Sequence, residues 1–263
     1  MFCYRHPDRE AYVRCQRCER FVCPDCQVAS SVGVLCPECA GGTQSKITRM
    51  RNRSFASTSL TMTLIVINVL AYLVEISPFG TAFLQQVVLM PAFVPHAPWT
   101  LITSGFVHDW SSPLHLAVNM YSLYIFGQGV EPLLGKARYL ALYMIALFAG
   151  AVGVLWLGDP TGITVGASGA IFGLMGGYFI FLRSLGQPSG QMFFLIAINL
   201  AFGFFASGIS WEGHIGGLLG GIAVAGIYAQ TRRPQDQKVQ MAALIGLSVL
   251  LIVLAVVRVM GLS

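Results

Sequence analysis

Charged residues are spaced along this chain so that seven stretches of helical length carry none. These intervals are 54–74, 110–130, 139–158, 160–182, 184–211, 213–231 and 239–257. Each approaches or exceeds the roughly 20 residues that a helix needs to cross the hydrocarbon core of a bilayer. Only 10% of the residues are charged and 55% are hydrophobic, whereas a soluble domain carries about a quarter charged residues. The pattern predicts an all-α polytopic membrane protein with about seven spanning helices. Cysteines and arginines fill the first turns, so no secretory signal peptide is expected there.

Basic residues set the expected orientation, because cytoplasmic loops are enriched in Lys and Arg. With the N-terminus inside, Arg5 through Arg53, Lys136, Arg138, Arg183, Arg232, Arg233 and Lys238 all fall on the cytoplasmic side. Arg258 is the exception. The net charge of +5 is thus read as a topology signal. The positives are dispersed among loops, and no nucleic-acid partner is expected.

Residues 1–40 read as a separate unit. All seven cysteines lie there, in pairs Cys15/Cys18, Cys23/Cys26 and Cys36/Cys39, with Cys3 completed by His6. Each pair has a two-residue gap, which lets both side chains reach one ion from a tight turn. Eight ligands suffice for two tetrahedral zinc sites, and a reducing cytoplasm argues against disulfides. Every ligand position is filled, so the metals are expected to be structural, with none used for catalysis. Residues 41–57 read as a basic linker carrying Lys46, Arg49, Arg51 and Arg53. A helical core is expected over 58–230 and a seventh spanning helix over 231–263. The segment 76–108 is uncharged but cut by Pro78, Pro91, Pro95 and Pro98. Prolines break a straight helix, so an outside loop lying partly in the membrane interface is expected, with Trp99 and Trp110 as anchors.

Glycines recur four apart at 169, 173 and 177, and again at 213, 217 and 221. That spacing stacks them on one helix face and allows backbone-to-backbone packing in lipid. Ser168 stands at the front of the first run and His214 at the front of the second. With the N-terminus inside, spans two, four and six all begin on the outer side. His115 and Asn119, then Ser168, then His214 therefore fall in one shallow layer beneath the outer surface. Polar residues inside spans are costly and mark function; for His115 and Asn119 a helix–helix hydrogen bond is the alternative. A serine needs a base, and imidazole is the usual one. No Asp or Glu lies within a span to orient His214, so a Ser–His dyad is expected. The Ser168 N–H at a helix N-terminus, with the side chains of His115 and Asn119, would supply oxyanion donors.

These residues resemble the rhomboid family of intramembrane serine proteases. The resemblance rests on Gly166-Ala167-Ser168-Gly169, His214-x2-Gly217-x3-Gly221, His115-x3-Asn119 and Glu131-x3-Gly135, and covers about 58–230. It implies a rhomboid-like six-helix core, here with one extra C-terminal helix. It also implies Ser168 as nucleophile, His214 as base, and His115, Asn119, Gly166 and Phe172 as the oxyanion and substrate-binding set, Phe172 packing on the base. Where the family often has Trp-Arg in the first loop, this chain has Trp99-Thr100. The cysteine spacing resembles cross-braced B-box-like zinc fingers, ending in Cys36 and Cys39 where histidines are common. That resemblance implies that pairs one and three share one ion and pairs two and four the other.

The expected function is endoproteolysis of transmembrane segments of membrane proteins near their outer end, in a bacterial plasma membrane. The bilayer is a partner throughout, and a cytosolic partner is expected for the finger. The alternative is a catalytically silent rhomboid-like adaptor that binds client helices. A transporter is disfavoured because no intramembrane carboxylate is present to couple an ion.

Overall fold

The computed structural model describes residues 1–30, 33–40, 59–205 and 208–262. The basic linker expected over 41–57, and Ser207 of the connector before the sixth long helix, lie outside the described residues. The chain divides into two compact units, Met1–Ser59 and Leu60–Ser263, each with its own core.

The first unit has little regular structure. Strands β1 (Val13–Arg14) and β2 (Phe21–Val22) pair antiparallel, with Val13 opposite Val22. Strands β3 (Val28–Ser30) and β4 (Gly33–Leu35) pair with Val28 opposite Leu35. Its buried centre consists of Cys3, Cys15, Cys23, Cys26 and Cys36 with only Ala11, Val22, Leu35 and Ala40 beside them. So small a core cannot hold a chain of this length without a staple. The thiols at its centre are the place for one.

The second unit is helical. Its helices are α1 (Leu60–Glu75), α2 (Gly80–Val87), α3 (Thr100–Thr103), α4 (Pro113–Leu134), α5 (Lys136–Leu157), α6 (Ser168–Ser184), α7 (Gly190–Phe205), α8 (Trp211–Gln230) and α9 (Gln237–Met260). By length and composition α5 and α9 can cross a membrane, while α1 and α7 are apolar but 16 residues long. The outward faces of α1, α7 and α9 expose Leu70, Leu73, Phe194, Phe202, Ile252 and Val256. An apolar surface this continuous marks contact with lipid or protein.

Helices α5, α6 and α8 form the centre. Glycine makes their closeness possible. A Cβ added at Gly217 of α8 would collide with the Gly169 carbonyl of α6, and one at Gly221 would strike the Gly173 backbone. On the α5 side, a Cβ at Gly150 would come within 2.9 Å of the Gly213 carbonyl.

Outside that trio, carboxylates and indoles tie the helices. Glu131 lies inside α4 rather than in the turn, which falls at Gly135 with φ of 75°. Its carboxylate accepts from the N–H groups of Leu60 (2.8 Å) and Thr61 (2.9 Å) and from the Thr61 hydroxyl (2.7 Å). Those are orphan donors at the start of α1, where negative charge also suits the helix dipole. Removing these acceptors in Glu131→Ala is expected to cost about 2 kcal/mol, read as a lower melting temperature in detergent. Unchanged melting would contradict this role. At the other end, Arg258 is accounted for: its Nε donates to the Leu155 carbonyl (2.9 Å), and the Trp156 indole N–H donates to the Leu254 carbonyl (3.1 Å). The one basic residue that breaks the charge pattern clasps α9 to α5.

The segment 76–108 is more ordered than its prolines suggest. It contains α2 and α3. The Trp99 indole N–H donates to the Gln86 carbonyl (2.7 Å), and the Thr103 hydroxyl donates to the Val87 carbonyl (2.9 Å). Leu89 pairs with Thr164 as a β-bridge. Trp99 thus ties α3 back to α2 within the segment.

Candidate active site and metal centres

The N-termini of α6 and α8 meet across the glycine faces and set Ser168 against His214. The Ser168 Oγ lies 2.9 Å from the His214 Nε2. The Phe172 ring, one turn along α6, stacks on the imidazole with centroids 4.2 Å apart and planes inclined at 21°. His214 is buried, and its Nδ1 has no hydrogen-bond partner among the described residues. Among the described residues no carboxylate bonds to it. Glu212 accepts from the Ser210 hydroxyl (3.0 Å), and Ser210 caps α8 by accepting from the Gly213 N–H (3.3 Å).

Gly166 ties the stretch before α6 to the turn at Ser104. Its φ of +122° is open to glycine, and its N–H donates to the Ser104 carbonyl (2.9 Å). A Cβ there would lie 3.1 Å from the His115 Nε2 and 3.8 Å from the Ser168 Oγ. The His115 ring therefore faces the serine across a gap that only glycine leaves open. Its other nitrogen, Nδ1, accepts from the Asp109 N–H (3.2 Å). A ring nitrogen that accepts carries no proton in the neutral ring. In the neutral ring the proton therefore belongs on Nε2, the nitrogen beside Gly166. Asn119 sits one turn below on α4, buried, with its amide donating to the His115 carbonyl (2.9 Å). It is close by in the fold but engaged with its own helix. A small pocket of about 30 Å³ opens beside Ser168, lined by Ser104, Thr164, Gly166, Gly169 and Ser210 among others. That is room for one water.

Two further residues lie near the site: Glu75, which the sequence marks only as the end of a span, and His108, for which it favours a surface or packing role over ligation. His108 is fully buried, its ring packed edge-on to His115 with centroids 5.3 Å apart. Both its ring nitrogens lack a hydrogen-bond partner among the described residues. Glu75, the last residue of α1, accepts from the His108 N–H with both carboxylate oxygens (3.2 and 3.1 Å). Only the seven-residue spacing of His108 and His115 hints at this in sequence. His96, by contrast, is exposed beside Phe93.

In the first unit the eight candidate ligands gather into two groups, Cys3, His6, Cys23 and Cys26, and Cys15, Cys18, Cys36 and Cys39. Within each group the ligand atoms lie within 4.8 Å of one another. The Cys18 and Cys36 sulfurs are 3.7 Å apart, and the His6 Nδ1 lies 3.5 Å from the Cys23 sulfur and 3.4 Å from the Cys26 sulfur. A tetrahedron with metal–sulfur bonds of about 2.3 Å has edges of about 3.8 Å, whereas a disulfide brings sulfurs to about 2.05 Å. The spacing fits a metal. The Arg20 guanidinium beside Cys18 (3.3 Å) holds that thiol below its usual range, while the neighbouring Cys36 pushes the Cys39 thiol up.

The Rhomboid domain family matches residues 95–231. "Rhomboid protease GluP" of Bacillus subtilis (strain 168) is 36% identical over 135 residues, which is 48% of this chain and 25% of that protein. "Putative rhomboid protease YdcA" of the same organism is 33% identical over 139 residues, 51% of this chain and 69% of the relative. "Rhomboid protein 1, mitochondrial" of Saccharomyces cerevisiae is 27% identical over 204 residues, 70% and 58% of the two chains. The aligned part is therefore only a quarter of the length of GluP, and the two metal-ligand clusters lie outside the matched domain. With over half of its length matched by the domain family, and with its glycine-faced helices carrying Ser168 and His214 at abutting ends, the chain belongs to the rhomboid family.

Proposed function

We propose that this protein is an intramembrane serine endopeptidase that cuts transmembrane segments of other membrane proteins. The observation that carries this reading is the 2.9 Å contact between the Ser168 Oγ and the His214 Nε2 at the meeting ends of α6 and α8. In the reaction, Ser168 attacks the scissile carbonyl while His214 takes its proton. The developing oxyanion is held by the Ser168 N–H at the start of α6 and by the His115 Nε2–H. Asn119 joins when its amide turns from the His115 carbonyl. His214 then protonates the leaving amine and activates a water that hydrolyses the acyl-enzyme. Stacked on Phe172, the base keeps one ring orientation through both steps.

A peptide must leave helical form to be attacked, so substrates with Gly, Ser or Ala near the cut are favoured. The phenylalanine-rich α7 lies beside His214, with Gly203 facing the imidazole, and suits lateral access from the bilayer. Seven long helices spanning a plasma membrane with the N-terminus inside, six forming the core and α9 the seventh, put the dyad near the outer face. Cleavage of a reconstituted single-pass substrate, with products mapped by mass spectrometry, tests the reading. The cut is expected within or just outside the outer end of the substrate's spanning segment. Cuts confined to unfolded soluble loops would overturn it, and binding of the substrate helix without any cut would favour the silent adaptor.

For the first unit we propose two structural Zn²⁺ ions, one held by Cys3, His6, Cys23 and Cys26 and the other by Cys15, Cys18, Cys36 and Cys39, in a docking module for a cytosolic partner. Cys15→Ser is expected to lower bound zinc from two equivalents to well below one and to unfold the unit, since binding free energy here is folding free energy. Proteolysis in detergent should stay within about twofold. Complete loss of activity on deleting residues 1–40 would contradict an accessory role.

A further inference from the structure

We infer that Glu75 is a positioning residue for the oxyanion donor His115, acting through the backbone of residues 108 and 109; this rests on the protease reading above. Glu75 is 4% exposed and ends α1. A carboxylate there opposes the helix dipole, which favours cations at a C-terminus, and burying its charge is costly unless it is well hydrogen-bonded. Helix stability alone does not call for it. What it holds is the His108 N–H, with both oxygens.

The next N–H along the chain, that of Asp109, donates to the His115 Nδ1. Two consecutive amides thus join the end of α1 to the imidazole on α4. The Asp109 side chain is occupied elsewhere, accepting from the Ser111 N–H (2.9 Å) and the Ser111 hydroxyl (2.6 Å), which fixes the turn that follows. The His108 ring braces His115 from the side. Without the anchor at 108, the 109 amide loses its place and His115 is free to move its proton to Nδ1. Its Nε2 would then present a lone pair to the oxyanion instead of a hydrogen.

The test is a double-mutant cycle in the full-length protein, reading kcat and KM on a single-pass substrate. Glu75→Ala is expected to lower kcat between about 10- and 100-fold with KM within about twofold, the scale of a slightly misplaced catalytic group. Glu75→Gln keeps an acceptor and should restore kcat to within about threefold of wild type. His115→Ala should cost about 100-fold, and Glu75→Ala added to it should cost less than about twofold more, because both act through one donor. Should Glu75→Ala fail to fold, Asp109→Pro removes the second N–H, with Asp109→Ala as the control for the lost carboxylate; Asp109→Pro should exceed that control by the same kcat loss and show the same lack of additivity with His115→Ala. Multiplying losses, an effect on KM alone, or a Glu75→Gln as poor as Glu75→Ala would overturn the role. Full activity in Ser168→Ala would instead reject the protease reading, so the two failures are distinguishable.

Discussion

Replacing Ser168 by Ala, or His214 by Ala, is expected to lower cleavage of a transmembrane substrate by at least about 10⁴-fold. The two residues act as a unit, and members of such units lose nearly everything singly. The double variant should be no worse than either single one. Folding should survive in Ser168→Ala: the half-buried hydroxyl makes one hydrogen bond, worth about 1 kcal/mol. For a protein of this size that is a melting shift of about 2–4 °C. Melting in detergent, measured beside the cleavage assay, separates lost chemistry from lost structure. A Ser168→Ala protein that cuts at the wild-type rate would remove the nucleophile from the mechanism.

Gly217→Ala is the second large effect. A methyl is the smallest side chain that can be added, yet at this position it would meet the Gly169 carbonyl, which is backbone and cannot rotate away. Helices α6 and α8 must separate. Overpacking of this kind costs about 3 kcal/mol or more. The separation would also draw His214 from Ser168, and a displacement of about 1 Å costs about 100-fold in rate. Gly226 lies on the same helix but faces open space. There the same substitution should stabilise by a few tenths to about 1 kcal/mol, since alanine loses less freedom on folding. Parallel melting and cleavage assays on the two variants provide the check. Equal behaviour would mean that the glycine face does not set the distance across the dyad.

The positions of the long helices were legible because lipid and protein interior both exclude charge, so Glu75, Arg138, Arg183 and Lys238 punctuate the sequence near helix ends. The abutting of Ser168 and His214 was legible for a related reason: glycines four apart fix which faces meet, and each of these residues heads one such face. The grouping of the cysteine pairs, one with three and two with four, came from the resemblance to cross-braced zinc fingers. What stayed hidden depends on contacts far apart in sequence. Glu131 looks like a turn residue until Leu60 and Thr61, 71 and 70 positions away, are seen to donate to it. Glu75 looks like the end of a span until the chain returns with the His108 amide. Prolines made 76–108 read as an interfacial loop, because local rules register broken helix but not the Trp99–Gln86 and Leu89–Thr164 links that fold it. Asn119 follows His115 by four residues on α4, but no spacing reveals that its amide turns back onto its own helix.

Reaction with a fluorophosphonate, followed by peptide mass spectrometry, is the most direct test of the proposal that His214 activates Ser168. The dyad predicts one adduct, on the peptide containing Ser168, absent from Ser168→Ala and formed at least about 100-fold more slowly in His214→Ala. An unlabelled wild-type protein, an adduct on another residue, or wild-type labelling in His214→Ala would contradict it.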